Sequence, residues 1–320
     1  MKSYRAIDWA WIGLIALTLA FLAMRGSASW LITFPTDWVI PITEWFNAFM
    51  DWCVKYFGPA FRAFSAALDV PMSAVRDLLN WLPWSVTLVL LTFAAYVASG
   101  WRLALFTSLS VLYMVVIGYW SESMNSLALV AISVPMAVAI GFGLGTLAFY
   151  SPRAERVIRP LMDLLQTIPA FAYLLPILIL FGFGPVVGLI ASILYAFPPT
   201  VRNTMLGLSR VPQEVIEAGL MSGATPRQLF WRVRTPSAMK QILLGVNQTT
   251  MAAFSMVIIA SIIGGTADIG WEVLSTMRKA LFGESLLAGI VIALMAMVMD
   301  RITAAAATAE PKEPEISSNL

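Results

Sequence analysis

Again and again along its 320 residues this chain runs for about twenty residues with no charge in the middle of the run, the length a helix needs to cross a ~30 Å hydrocarbon core. Such runs fall near 9–25, 84–100, 103–120, 124–150, 163–183, 186–207, 240–265 and 284–302. In lipid the backbone must satisfy its own N–H and C=O groups, so runs of this kind dictate helices. The uncharged stretch from Leu164 to Val201 is too long for one helix, and Gly182, Gly184, Pro185 and Gly188 at its middle mark a reversal between two. Composition agrees: 59% of residues are hydrophobic and 12% charged, against roughly 25% charged in soluble domains. The expected fold class is an all-α polytopic membrane protein with about eight transmembrane helices.

A net charge of +2 is too small to suggest nucleic acid as a partner, and the basic residues are sorted by position instead. Placing both termini in the cytoplasm puts fourteen of the 20 Lys and Arg inside, including Arg153, Arg156 and Arg159 of SPRAERVIRP. Arg25, Lys55, Arg62, Arg76, Arg278 and Lys279 remain outside. Lys2 and Arg5 ahead of an apolar core, with small residues at Gly26 to Ser29, have the pattern of a secretory leader; the segment is expected to be retained as the first span.

Several chemistries are excluded. The chain has no histidine, the commonest general base, proton shuttle and metal ligand, and its one cysteine, Cys53, cannot form an internal disulfide. Cys53, beside Trp52, reads as a small apolar residue. No paired carboxylates or Ser–Lys dyad sit at plausible depth for an intramembrane enzyme. No catalytic residue and no metal site are expected. No G-x-x-x-x-G-K-[ST] is present, and the glycines of Gly141 to Gly145 lie inside an apolar run with no strand before them, so they read as close helix packing.

Residues 26–83 form an extracytoplasmic amphipathic scaffold. From Pro41 to Phe57, Glu44, Asn47, Asp51 and Lys55 recur at three- and four-residue steps while Trp45, Phe49, Trp52 and Tyr56 line another face. That stripe suits either the outer leaflet or the transmembrane helices. Residues 304–320, rich in Ala, Pro, Glu and Ser with no apolar face, read as a disordered cytoplasmic tail.

The polar exception among the greasy runs is EAGLMSGATPRQLFWRVRTP, Glu217 to Pro236. Pro212 suits a helix start and Gly223 a left-handed C-terminal stop. Thr225 with Gln228 has the capping-box spacing for a second helix, and Thr235–Pro236 are expected to start a third. The result is a rigid elbow carrying Val215, Ile216, Leu220, Leu229 and Phe230 as apolar knobs and Arg227, Arg232 and Arg234 as cations. Exposed apolar knobs need a partner to cover them.

The spacing of Glu217, Ala218, Gly219, Gly223 and Pro236 resembles the E-A-A-x-x-x-G-x9-I-x-L-P signature of ABC importer permeases, with Gly219, Val233 and Thr235 departing from it. DLLQTIPAFAYLLPILILFGFG, YAFPPTVRNT, VPQEVIEAG, GVNQTTMAAFSMVIIASIIGG and MDRIT resemble the glycine betaine/proline betaine branch of that family. The resemblance covers roughly 124–303. It implies a type I importer permease fold with a five-helix core at 124–303, preceded by N-terminal helices within 1–123, and a cytoplasmic coupling elbow at 209–236. Glu217, Ala218, Gly219, Gly223, Ala224, Arg227 and Pro236 would then dock on a separate ABC ATPase, present in two copies and carrying the ATP and Mg; this chain would hold no cofactor. The other implied partners are a second copy of the chain and an extracytoplasmic substrate-binding protein, at a bacterial inner membrane. The implied cargo is a compatible solute such as glycine betaine, choline, proline betaine or trimethylamine N-oxide.

Helix-breaking prolines in lipid are tolerated chiefly beside protein or a cavity, which makes the fifth and sixth spans pathway candidates through Gln166, Pro169, Phe171, Tyr173, Pro198 and Pro199. Asn247, Gln248 and Thr249, with Ser255 beyond them, make a polar step in the seventh span that fits either interhelical hydrogen bonds or a passage. Aromatic faces such as Tyr173 suit a quaternary ammonium, though packing explains most of them and the family's aromatic cage is expected on the binding protein. The alternative function is an ion-coupled secondary transporter. It calls for internal repeats and a charge buried mid-span, and the sequence offers neither.

Overall fold

The computed structural model describes residues 2–26, 30, 34–264 and 267–308, and every regular element within them is helical. The chain divides into two units after Trp52. The first holds α1 (Lys2–Ala23), single 3-10 turns at Met24–Gly26 and Thr36–Trp38, and the start of α2 (Ile42–Trp81). From Trp9 to Leu22, α1 exposes its apolar side chains on all sides, as a helix with lipid for solvent does. The helix expected at 41–57 is present but does not stop there. α2 runs forty residues, through Pro59 and Pro71, before Pro83 ends it.

The second unit takes in the rest of α2, α3 (Trp84–Ser99), α4 (Trp101–Val116), α5 (Trp120–Tyr150), α6 (Pro152–Thr167), α7 (Ala170–Phe181) and α8 (Pro185–Ser209). It continues with α9 (Gln213–Met221), α10 (Pro226–Gln228), a π-helical turn at Leu229–Arg234, α11 (Thr235–Gly264), α12 (Ile269–Arg278) and α13 (Phe282–Thr308). Among the described residues four segments are each long and apolar enough to cross a membrane alone: Trp120–Tyr150, Pro185–Ser209, Pro226–Ser261 and Phe282–Ala305. The number rises to six if each of two sharply bent pairs, α2–α3 and α6–α7, makes one span; Trp9–Ala23 and Trp101–Val116 are apolar but shorter.

Three expectations change. The run at 163–183 is not a straight helix, because the chain bends by 100° between α6 and α7. Ile168, forced out of the helical region by the proline that follows, is extended at φ −67°, ψ 130°, and Pro169 caps α7. α6 is instead amphipathic: Ile158 and Met162 are buried four residues apart, while Arg153, Arg156 and Arg159 face outward. The tail expected to begin at 304 is helical as far as Thr308, with residues 309–320 outside the described part. The third change concerns the elbow, below.

α8 lies between α5 and α11 and is buried over most of its length. The glycines explain the closeness. A Cβ on Gly141 would stand 2.6 Å from the Thr200 Cβ, one on Gly145 2.7 Å from Thr204 Cβ and Val201 O, and one on Gly245 2.7 Å from Asn203 Cβ. Gly143, on the other side of α5, meets nothing. The Gly141–Gly145 pair is thus a helix-packing seam at four-residue spacing, as expected, with polar bonds beside it. Thr200 and Thr249 share a buried hydroxyl–hydroxyl bond of 2.7 Å between α8 and α11.

Candidate functional site: the elbow and the α8–α11 face

The elbow leaves α8 at Arg210 and turns back onto its own small core. Leu208, Val211, Ile216, Phe230, Ala238 and Ile242 are buried together, with Phe142 and Phe149 of α5 against them. Pro212 sits one place before its expected position: it is extended (φ −57°, ψ 141°) and precedes α9, its carbonyl accepting from the Val215 and Ile216 N–H groups.

α9 ends as the sequence predicts. Gly223 has φ +74°, its N–H bonds Leu220 O at 2.9 Å, and the Ala224 N–H bonds Gly219 O at 3.2 Å, the double closure of a Schellman stop. Two residues on, Thr225 accepts from the Gln228 N–H while the Gln228 amide oxygen accepts from the Thr225 N–H at 2.9 Å, a complete capping box. Stop and restart are both hydrogen-bonded, so the bend is stiff.

α11 begins at Thr235 as expected, yet with no break before it: the chain continues through the π turn into α11 as one segment, Pro226–Ser261. Pro236 has no N–H and its ring crowds the carbonyl four residues back, and a widened turn relieves both. The Thr235 N–H reaches Phe230 O and the Ser237 hydroxyl takes Val233 O. The elbow is therefore rigidly continuous with a membrane-length helix.

Its base is aromatic. Phe230 contacts Phe142, Tyr150 and Trp231, and the Arg234 guanidinium lies 5.2 Å from the Phe149 ring centroid. Gly219, the position where the signature has a second alanine, packs on the π turn: a Cβ there would lie 2.9 Å from Leu229 Cδ1 and 3.2 Å from Val233. The knobs sort into two groups. Ile216 and Phe230 are buried and Leu229 half-buried, so these three hold the elbow together. Val215 and Leu220 are exposed, and so is Met221, at 89% the most exposed large apolar side chain among the described residues and a further knob beyond those expected. Glu217 and Ala218 share that outer surface, with Arg227 and Pro236 also exposed and Ala224 half-buried. Gln213 donates to Glu217 at 3.3 Å.

The polar step of α11 is split between two directions. Asn247 donates to Asp300 on α13 at 3.0 Å and accepts from Thr303, and Thr249 bonds Thr200; both serve helix-to-helix bonding. Gln248 and Ser255 are exposed, with Met251 between them, on one face of α11. Gln248 accepts from Asn203 at 3.0 Å, and Asn203 accepts from Gln241 at 2.6 Å. Asn203 and Gln241 were not picked out from sequence. In sequence each is only a polar residue near the end of an apolar run, which gives no pairing. Pro198 is buried and Pro199 half-buried within α8, which passes through both without a break. At the α6–α7 bend Gln166, Pro169 and Phe171 are exposed, and Tyr173 is half-buried.

Residues 133–308, more than half the chain and including the whole elbow, match the family model described as the binding-protein-dependent transport system inner membrane component. The chain belongs to that family. It is 38% identical over 293 residues to the glycine betaine/proline betaine transport system permease protein ProW of Escherichia coli, covering 88% of this chain and 82% of that one. It is 36% identical over 264 residues to the glycine betaine transport system permease protein OpuAB of Bacillus subtilis, covering 82% and 93%. With the trimethylamine N-oxide transport system permease protein TmoV of Ruegeria pomeroyi it shares 34% over 313 residues, 94% of this chain and 47% of that one. This permease is accordingly a multi-pass inner-membrane transport component, not itself catalytic, whose family works with an ATPase and a binding protein.

Proposed function

We propose that this permease carries a compatible solute with a quaternary ammonium or methylamine group, such as glycine betaine, choline, proline betaine or trimethylamine N-oxide, inward across the membrane. It works as a homodimer with two ATPase subunits, which bind the ATP and Mg, and it receives its solute from an extracytoplasmic binding protein. Both termini are cytoplasmic, consistent with the excess of Lys and Arg on that side. The names of the relatives support the solute class.

One observation carries the mechanical part of this reading. A doubly hydrogen-bonded bend, fused to a membrane-length helix through the π turn, holds Glu217, Ala218, Leu220 and Met221 outward. Movement imposed on that surface by an ATPase is passed to α11, and through the α8–α11 contacts to α8, with little lost to bending. Gln166, Phe171, Gln248 and Ser255 line the passage in this reading, while Asn247 and Thr249 hold its walls.

The test is reconstitution of the permease with its ATPase and binding protein in vesicles. Accumulation of labelled glycine betaine or a related solute that needs both ATP and the binding protein is the expected result. Uptake by the permease alone, driven by an ion gradient, contradicts it.

A further inference from the structure

At the opposite end of the helices from the elbow, α2 shapes a cleft of about 550 Å³ over the starts of α5 and α8 and the residues just ahead of α12. That volume is in the range of small-molecule sites. Its walls are held by amides. Asn80 donates to Asn125 at 2.9 Å, Ser121 donates to Asn80 at 3.2 Å, and Asn125 donates to the Ala267 carbonyl. With the amides committed to one another, ligand recognition falls to the charges.

Those charges are of both signs. Arg76 makes only a loose contact with its chain neighbour, Asp77, at 3.6 Å, and the lining also includes the start of α8 at Gly184 and Pro185, where the helix dipole is positive. Asp69, Asp77 and Asp268 supply carboxylates; Asp268 is buried and caps α12, accepting from the Trp271 N–H at 3.0 Å, while Asp69 has no ion pair among the described residues. The floor contains Met72 and Leu129. A quaternary ammonium has no N–H to donate, so it needs negative charge and apolar contact without directed bonds, whereas a carboxylate needs directed donors. A cleft with an arginine, three carboxylates, one of them committed to capping α12, and an apolar floor matches a small molecule that has both poles.

We infer that this cleft is a receiving site for a zwitterionic solute on its way from the binding protein to the passage, with Arg76 taking the carboxylate and Asp69 and Asp77 facing the quaternary ammonium. The inference rests on the solute class proposed above and adds a place and a charge pattern to it.

Saturation-transfer NMR on the permease assembled with its ATPase in nanodiscs, without binding protein, reads the site directly from the solute N-methyl signal. Glycine betaine and choline, which has the cation but no carboxylate, are the probes. In Arg76→Gln the transfer to glycine betaine falls about fivefold, the scale of one exposed charge-assisted bond, while choline is unaffected and Arg76→Lys retains most of the signal. Asp69→Asn reduces both probes. Co-elution of each variant with the ATPase excludes misfolding as the cause. Equal transfer in wild type and all variants overturns the cleft, as does an equal loss for both probes in Arg76→Gln. Vesicle uptake separates the two readings: uptake of glycine betaine with no cleft-dependent transfer overturns the cleft alone, transfer without uptake of any such solute overturns the solute class and keeps the cleft as a zwitterion site, and neither overturns both.

Discussion

At Gly141 a missing methyl group decides how closely two helices approach. Gly141→Val drives a side chain into Thr200 and the α8 backbone, and overpacking of this kind costs about 1–3 kcal/mol. Gly143→Ala, two residues away on the open side, is expected to leave the thermal unfolding midpoint of the purified permease unchanged. Gly219→Ala restores the residue of the family signature; the added methyl meets the movable end of Leu229, so uptake is expected to stay near wild type. Gly223→Asp differs in kind, since φ +74° strains any side chain and loosens the Schellman stop, and uptake should be lost while the protein stays in the membrane. Tyr119, in the turn ahead of α5, is a titrating contrast. Desolvation, then Glu272, Glu284 and Glu122, push its phenol above the ordinary value of 10.0. The fold favours the neutral form, so this contribution to stability is complete below pH 10 and declines as pH rises through the raised value, which a melting curve against alkaline pH measures.

Among elements, the contact between α8 and α11 combines a small-residue seam with buried polar bonds. A double-mutant cycle on Thr200→Val and Thr249→Val is expected to give a coupling of about 0.6–1.7 kcal/mol, the scale of hydrogen bonds between membrane helices. By contrast, Asp163→Asn, which breaks the exposed ion pair from α6 to Arg202 of α8, should change stability by about 0–1 kcal/mol. The elements also show what can be read in a sequence. Local rules worked where the causes are local: Gly223 as a left-handed stop and Thr225 with Gln228 as a restart both depend on residues within four positions. They were incomplete where two local rules compete. Pro236 reads as a helix start and α11 does begin at Thr235, yet a π turn joins it to the elbow without a break. At 163–183 apolar content suggested one span, while Pro169 and the arginines of α6 imposed a 100° bend. Asn203 and Gln241 were missed because a pairing between helices leaves no pattern within either one.

In the function proposed above the whole molecule is a transmission: the motor is the ATPase, and the elbow is the stiff part that would receive its stroke. Glu217→Lys reverses the charge on the outer surface of α9 without disturbing the buried Ile216–Phe230 core, so it should abolish ATP-driven uptake with normal membrane levels. The separation of outer from inner residues on α9, with Met221 outermost, was not visible in composition or motif and came from packing alone. The most direct test is maleimide labelling of Ala218→Cys in a Cys53→Ala background, comparing the permease alone with the permease assembled with its ATPase. Protection of this cysteine on assembly, in a complex that still transports, is the predicted result; a cysteine that labels equally fast in the working complex contradicts the account.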